Sequence, residues 1–525
     1  MIEVAAELLP DTWTFTMSAI QELRALLRLR IVQLAALAVL LSAVGVISLS
    51  IKLCILDLDI WWHLKVGDWI VEHAAVPHTG ILSRTAAERA WIAYSWGYEV
   101  LMSRAYDWLG ILGIGLYGTL LTIGVAFAAY WMLRRISGRF WVAWLLTIVC
   151  CYPFLFMIMP RPVFFSIILF CVVLALLFEA NRTGHIETLY WLPLIFLLWA
   201  NLHIQFIYGL VPVGTLFGVN ILLQGANVAR EGWKKTHPSK NGLSGAPALA
   251  FLAPPTLPAG KLALILGACL LATCIGPYSY HLYGVIKEYS KAKSAYSLIV
   301  ELQPLTFRAM NHYVQLLLCA AAFVAVGWQK RVDLFKLALL TVAAVVAFRT
   351  TRDSWFLCTV AAACIADVLS ERDEPEKSES PLELAGVFAT VAVALLLFAR
   401  GVGFTQQGLD QAISRRLPVK AVNFLRQNPV PGPLYNTLDW GGFLMWYMPN
   451  YPVAIDGRND LYGDELDELF IGTQRGGESY KQDPYLSEAG VVLIRRTDGL
   501  YYALNQDQRF SLIYQDPIAA VFARR

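Results

Sequence analysis

The sequence predicts a polytopic α-helical membrane protein of about eleven spans, with a small α/β domain at its C-terminal end. Three observations carry this. The chain has 525 residues, of which 57% are hydrophobic and only 15% charged, more apolar surface than a single water-soluble core can hide. Several apolar runs reach the roughly 20 residues that cross about 30 Å of hydrocarbon: Ile31 to Cys54, Leu112 to Leu133, Trp141 to Met159 and Leu382 to Ala399. From about Thr405 onward the composition becomes that of a soluble domain. The net charge of +3 is too small for a nucleic-acid binder.

Residues 1–30 lack the order of a cleavable signal peptide: acids come early, and Arg24, Arg28 and Arg30 adjoin the first span. We expect a short amphipathic helix on the cytoplasmic surface. The positive-inside rule then sets orientation, and the first span delivers an outer loop, 57–108. The second span, near 110–133, returns to Arg134, Arg135 and Arg139. A third emerges at Pro160-Arg161-Pro162, a fourth returns to Asn181-Arg182, and a short fifth (Leu189 to Ala200) precedes Asn201-Leu-His203-Ile-Gln205.

The sixth span ends near Leu223, and Gln224 to Lys261 reads as a Gly/Pro/Ser-rich cytoplasmic linker. The seventh (near 262–275) leads outward to a loop ending in Glu301-Leu-Gln-Pro, the eighth (near 313–328) returns to Gln329-Lys-Arg331, and the ninth rises to Phe348-Arg349-Thr-Thr-Arg352-Asp353. The tenth descends to Glu371-Arg-Asp-Glu374, and the eleventh, Leu382 to Ala399, leaves 404–525 outside. Residues 31–403 thus make the membrane domain. In the tail, Val419 to Gln427 and Asp464 to Phe470 pattern as helices. Pro452 to Ile455, Val491 to Ile494, Ser511 to Tyr514 and Ala519 to Phe522 pattern as short strands. All nine cysteines lie in or beside apolar segments, so neither a disulfide framework nor a zinc pattern is expected.

The outer loop organises the chain. It packs acids, His63 and four tryptophans (Trp61, Trp62, Trp91, Trp96) into a segment far longer than a turn needs. Counting spans, independently of any motif, puts Asp57, Asp59, His63, Glu99, Arg161, Asn201, His203, Gln205, Glu301, Arg349 and Arg352 at one membrane face. Polar residues at span ends also serve as plain interfacial anchors; their shared side favours a site. Asp59 and His63 are one helical turn apart. Acids there serve as a general base toward a hydroxyl, or, with His63, as ligands for Mg²⁺ or Mn²⁺; a helix cap is the bland alternative. Trp61 and Trp62 suit either a sugar-stacking surface or a membrane belt.

Glu99 reads equally as a second acid, a metal ligand or an ion-pair partner. His63 and His203 lack a tight metal spacing, and His203 between Asn201 and Gln205 has the neighbours to hold a hydroxyl-rich ligand. Arg161, Arg349 and Arg352 fall where an anionic headgroup would lie; guanidinium grips phosphate bidentately, and it also snorkels to ordinary membrane lipid. Asp439-Trp-Gly-Gly and Asp456-Gly-Arg-Asn-Asp460 are dense in turn formers, which explains both without a ligand.

At these residues, Asp57-Leu-Asp-Ile-Trp-Trp-His63, Trp96-Gly-Tyr-Glu99, Arg161-Pro-Val-Phe-Phe-Ser, Trp199-Ala-Asn-Leu-His203, Glu301-Leu-Gln-Pro, Asp439-Trp-Gly-Gly and Ile455-Asp-Gly-Arg458, the chain resembles bacterial membrane proteins of the GT-C glycosyltransferase superfamily, with the lipopolysaccharide-core galacturonosyltransferases as the nearest label. The resemblance runs from about residue 50 to the C-terminus. It implies a protein of the bacterial inner membrane that moves a sugar from a polyprenyl-phosphate donor to a glycan, lipid or protein acceptor on the outer face. The family's first-loop acid maps onto Asp57 or Asp59, with Glu99 as a second acid. Gly276-Pro-Tyr-Ser stands where relatives often read Asn-Pro-Tyr-Gly. The rival expectation is a non-catalytic scaffold or sugar-lipid-binding subunit of a polysaccharide assembly. A transporter fits less well, because the polar residues gather at one face rather than at mid-membrane.

Overall fold

The computed structural model describes residues 29–51, 57–153, 161–236, 252, 257–289, 300–370 and 376–525. The amphipathic helix expected before Leu29, Cys54 and the turn at Glu371–Glu374 lie outside the described residues, as does half of the 224–261 linker, whose first part is helical and not a linker because the helix Phe206–Thr236 runs through it. Apolar helices stand at each segment expected to cross: α1 (Arg30–Ile51), α4 (Ile111–Ser137), α5 (Phe140–Cys151), α6 (Val163–Thr183), α7 (Leu192–Leu202), α8 (Phe206–Thr236), α9 (Ala259–Thr273), α11 (Met310–Gly327), α12 (Leu334–Arg349), α13 (Ser354–Val368) and α14 (Pro381–Gly401). Six of these, α1, α4, α6, α8, α11 and α14, are long and apolar enough to cross a membrane. Their ends follow local chemistry. Ser380 and Glu383 close a capping box with Pro381 at the first turn of α14, Asp333 caps α12, and α4 stops at Gly138 in the left-handed region.

Charged contacts tie helix ends together at one face. Arg30 donates to both Glu383 carboxylate oxygens at 2.8 Å, and Arg134 pairs with Glu379. Arg182 donates to the Ile136 carbonyl at 2.8 Å. Asn181 donates to Asp333, and Lys336 holds Asp333 and Asp367. The starts of α1, α12 and α14 and the ends of α4, α6 and α13 therefore share a side, which is what alternating spans require. Leu382, Val393, Leu396 and Leu397 of α14 remain exposed, an apolar face suited to lipid.

At the other face the outer loop folds into two helices, α2 (Ile60–His73) and α3 (Trp96–Leu109), packed against each other and rich in buried aromatic rings. Over them sits the C-terminal unit: α15 (Gln406–Ser414), α16 (Val419–Gln427), β1 (Leu434–Asn436), α17 (Gly441–Tyr447), α18 (Asn459–Gln474), α19 (Pro484–Ser487), β2 (Val491–Arg495), α20 (Gly499–Gln506), β3 (Phe510–Gln515) and β4 (Ala519–Arg524). The sheet order is β1-β2-β4-β3, with β1 parallel to β2 and the other pairs antiparallel.

One strand expectation is corrected. Pro452–Ile455 is not in the sheet; Leu434–Asn436 takes the edge position beside β2. The run 452–455 is apolar for another reason. It is clamped between the outer loop, where Val453 bridges Ser83 and accepts from Arg84 N at 2.8 Å, and Asn436, whose side chain accepts from Ala454 N at 2.8 Å.

Candidate active site

The first feature of the site is local to the loop. Asp57 Oδ1 accepts from Asp59 N at 3.2 Å and so turns the chain into α2, where His63 N donates to Asp59 O at 3.2 Å. Asp59 stands at the helix N-cap, yet its side chain makes no capping hydrogen bond. Its carboxylate instead accepts from Trp62 Nε1 at 3.2 Å. The helix start accounts for Asp57 in part and leaves the Asp59 side chain to the site.

The second feature is brought from the far end of the bundle. Arg161, between two prolines at the mouth of α6, donates from Nε and Nη2 to the two oxygens of Asp57 at 3.0 and 3.2 Å. It pairs with Asp59 at 3.2 Å and with Glu301 at 3.2 Å. A single guanidinium thus neutralises three carboxylates, a use that lysine's point charge cannot match. Burial, reinforced by Asp57 and only partly offset by Arg161, raises Asp59 to about 6. The three acids converge on this guanidinium rather than on a vacant point among themselves. Among the described residues no group of three or more His, Cys, Asp or Glu is placed to hold a metal ion. Arg161 occupies the point on which the three acids converge.

These groups face a cavity of about 560 Å³ between the loop, the helix ends and the C-terminal unit. Of the polar and aromatic residues singled out at that face, Asp57, Asp59, Trp62, His63, Arg161, His203, Glu301 and Arg352 line it. His203 is oriented by a relay: Trp199 Nε1 can only donate, and does so to Ser166 Oγ at 2.8 Å. Ser166 Oγ lies 2.8 Å from His203 Nδ1, so the hydroxyl fixes the orientation of the ring. The remaining candidates lie behind the wall. Glu99, 1% exposed, shares a 3.0 Å hydrogen bond with His63 Nδ1. Burial pushes the Glu99 carboxyl up and the His63 imidazole down, which favours the uncharged form of each. Trp61 packs on Phe443 and Tyr447. Asn201 accepts from Trp96 Nε1 and donates to the Leu197 and Ile275 carbonyls. Arg349 ends α12, away from the cavity lining.

The other half of the lining comes from the C-terminal unit: Leu438, Asp439, Gly442, Gly457, Asn459, Asp460, Asp467, Ile471 and Gln474. Two turn-rich motifs thus do more than turn. Gly442 lets α17 approach α2, since a Cβ there would stand 3.0 Å from Trp62 N, and a Cβ on Gly457 would meet Asp59 Oδ1 at 2.3 Å. Between them Asp456 and Arg458, both fully buried, form a bidentate pair at 2.7 and 2.8 Å. Arg458 also lies 4.7 Å from the Trp91 ring centre and donates to Ile81 O, while Trp91 Nε1 donates to Asp460 at 2.9 Å. The tail is fastened to the outer loop at the acid that matters. Tyr94 and Tyr289, joined at 3.1 Å, complete the wall; neither stands out in the sequence from the chain's other tyrosines.

The apolar helical bundle, the loop that carries acids into the cavity and the C-terminal α/β unit that roofs it make one fold, and solved structures are similar to it. The chain is similar to the Archaeoglobus fulgidus oligosaccharyltransferase crystallised with a tethered acceptor peptide, at a TM-score of 0.51 and 10% identity over 89% of this chain and 69% of that one. It is also similar to ArnT from Cupriavidus metallidurans bound to undecaprenyl phosphate, at a TM-score of 0.46 and 12% identity over 92% and 97% of the two chains. At these identities the likeness is one of fold. No family model matches the sequence, and no curated protein matches it.

Proposed function

We propose that this protein is a membrane glycosyltransferase that takes a sugar from a polyprenyl-phosphate donor and passes it to a hydroxyl of an envelope acceptor at the outer membrane face. One observation carries the reading: in a GT-C fold, Asp59, with a base-like pKa, and the cations Arg161 and Arg352 line one cavity at the helix ends. Asp59 takes the acceptor hydroxyl proton as its oxygen attacks the anomeric carbon, and the bond from that carbon to the phosphate oxygen breaks. The polyprenyl phosphate leaves with its charge countered by Arg352, and by Arg161 once the phosphate competes for it. A single displacement inverts the anomeric centre. His203 and Trp62 hold the sugar.

The closed ion lattice about Arg161 favours a second reading, a non-catalytic sugar-lipid-binding subunit, because it uses its acids as counter-ions. Purified protein in detergent, given a panel of radiolabelled polyprenyl-phosphate sugars, separates the two. Label release or transfer that is lost in Asp59→Asn supports the enzyme. Donor binding without turnover, unchanged by that substitution, supports the subunit.

A further inference from the structure

The face of α18 that lines the cavity has a composition which the proposed chemistry does not use. Asp467, Ile471 and Gln474 recur at helical spacing beyond the kink at Gly463, Asp460 stands before it, and all four line the cavity. Asp467 is 5% exposed, and its Oδ1, like Gln474 Nε2, is buried without a hydrogen-bond partner among the described residues. Buried polar atoms left without partners are costly and uncommon in folded proteins. Here one acceptor and one donor belong to side chains on the lining of one cavity, two helical turns or roughly 10 Å apart along the axis, with an apolar step between them.

We infer that this face is an acceptor subsite that recognises a neutral, hydroxyl-bearing glycan. The inference rests on the glycosyltransferase reading. A hydroxyl both donates and accepts, so a sugar satisfies Asp467 and Gln474 together while its apolar ring face rests on Ile471. An ammonium group satisfies Asp467 and leaves the Gln474 N–H facing another donor. An anionic acceptor meets Asp460 and Asp467 on this wall and is disfavoured there, Asp439 being paired with Arg495. The subsite lies on the C-terminal wall of the cavity, and Gly457 brings that wall against Asp59, so an acceptor held there is within reach of the base.

The test is saturation-transfer NMR on the full chain in detergent micelles, with lactose, cellobiose and N,N′-diacetylchitobiose as neutral probes, chitobiose as the cationic one and digalacturonate as the anionic one. At least one neutral disaccharide should bind, at least tenfold more weakly to Asp467→Leu and to Gln474→Leu, with thermal unfolding showing that the variants are folded. Gln474 is only partly buried, so its variant keeps the test open if Asp467→Leu misfolds. No binding by any neutral probe, binding unchanged in Gln474→Leu, or preference for chitobiose or digalacturonate overturns the inference. Label release from polyprenyl-phosphate sugars is measured on the same preparation. Glycan binding without release removes the enzyme reading and leaves the subsite; release without glycan binding does the reverse.

Discussion

Gly457→Ala isolates the role of Asp59 without touching its chemistry. The new Cβ would lie 2.3 Å from Asp59 Oδ1, where ordinary contact begins at 3.4 Å, so the carboxylate must retreat by about 1.1 Å. Gly457 needs no left-handed backbone, and the obstructed atom is a side-chain tip 29% exposed that holds no helix cap. The fold should therefore survive, with thermal unfolding within a few degrees of wild type. A misplacement of about 1 Å in a catalytic group costs on the order of 100-fold, or about 2.7 kcal/mol of activation. Single-turnover transfer from a labelled polyprenyl-phosphate sugar should fall by about that factor, with donor KM changed less than about threefold. Gly441→Ala is the contrast: its Cβ would stand 2.0 Å from the Ile455 carbonyl oxygen, a backbone atom, and the C-terminal unit should lose its folding. Full single-turnover activity in a folded Gly457→Ala protein would refute Asp59 as the base.

Four further outcomes follow from the same geometry. Asp59 is raised to about 6, so turnover should fall about tenfold per pH unit below 6; a flat rate between pH 4.5 and 8 rejects the assignment. Arg161→Ala leaves three acids facing one another, and breaking such a buried pairing costs about 3–5 kcal/mol. Arg161→Lys should restore part of the thermal stability and little of the rate. Glu99→Gln keeps a hydrogen-bonding partner for His63 Nδ1 and should unfold like wild type, while Glu99→Ala, which strands His63 Nδ1, should lose about 1–3 kcal/mol in thermal or denaturant unfolding. Asp467, raised to about 7 chiefly by burial, binds its proton more tightly folded than unfolded. Its stabilising effect is complete below about pH 4 and is lost as pH rises through 7. The unfolding temperature should decline over that window, and less steeply in Asp467→Asn.

The expected helices fall where hydropathy put them because the requirement for a span is local: every backbone group must be satisfied within the segment while its side chains face lipid. The acids of the outer loop were legible for a related reason, since Asp57, Asp59 and His63 sit within seven residues and a span end dictates their side. Legibility stopped at the tail. Pro452–Ile455 reads as a strand by pattern and is instead the seam against Ser83 and Arg84. Asp456 to Asp460 reads as a turn and is also the clamp on Trp91. Burial against a partner hundreds of residues away leaves the same alternating signature as burial in a sheet.

By itself, then, the sequence determined a many-span membrane protein with a loop of acids and aromatic rings at one face, because chain-local hydrophobicity and charge decide both. Tertiary structure alone decided which of the polar residues act together. It placed Arg352 on the cavity and Arg349 off it, and turned Glu99 into a support for His63. It set Arg161 across three carboxylates, and brought Asp460, Asp467 and Gln474 over Asp59 from a domain that begins some 350 residues later. Such choices depend on distance and desolvation between segments, and those exist only once the chain is packed.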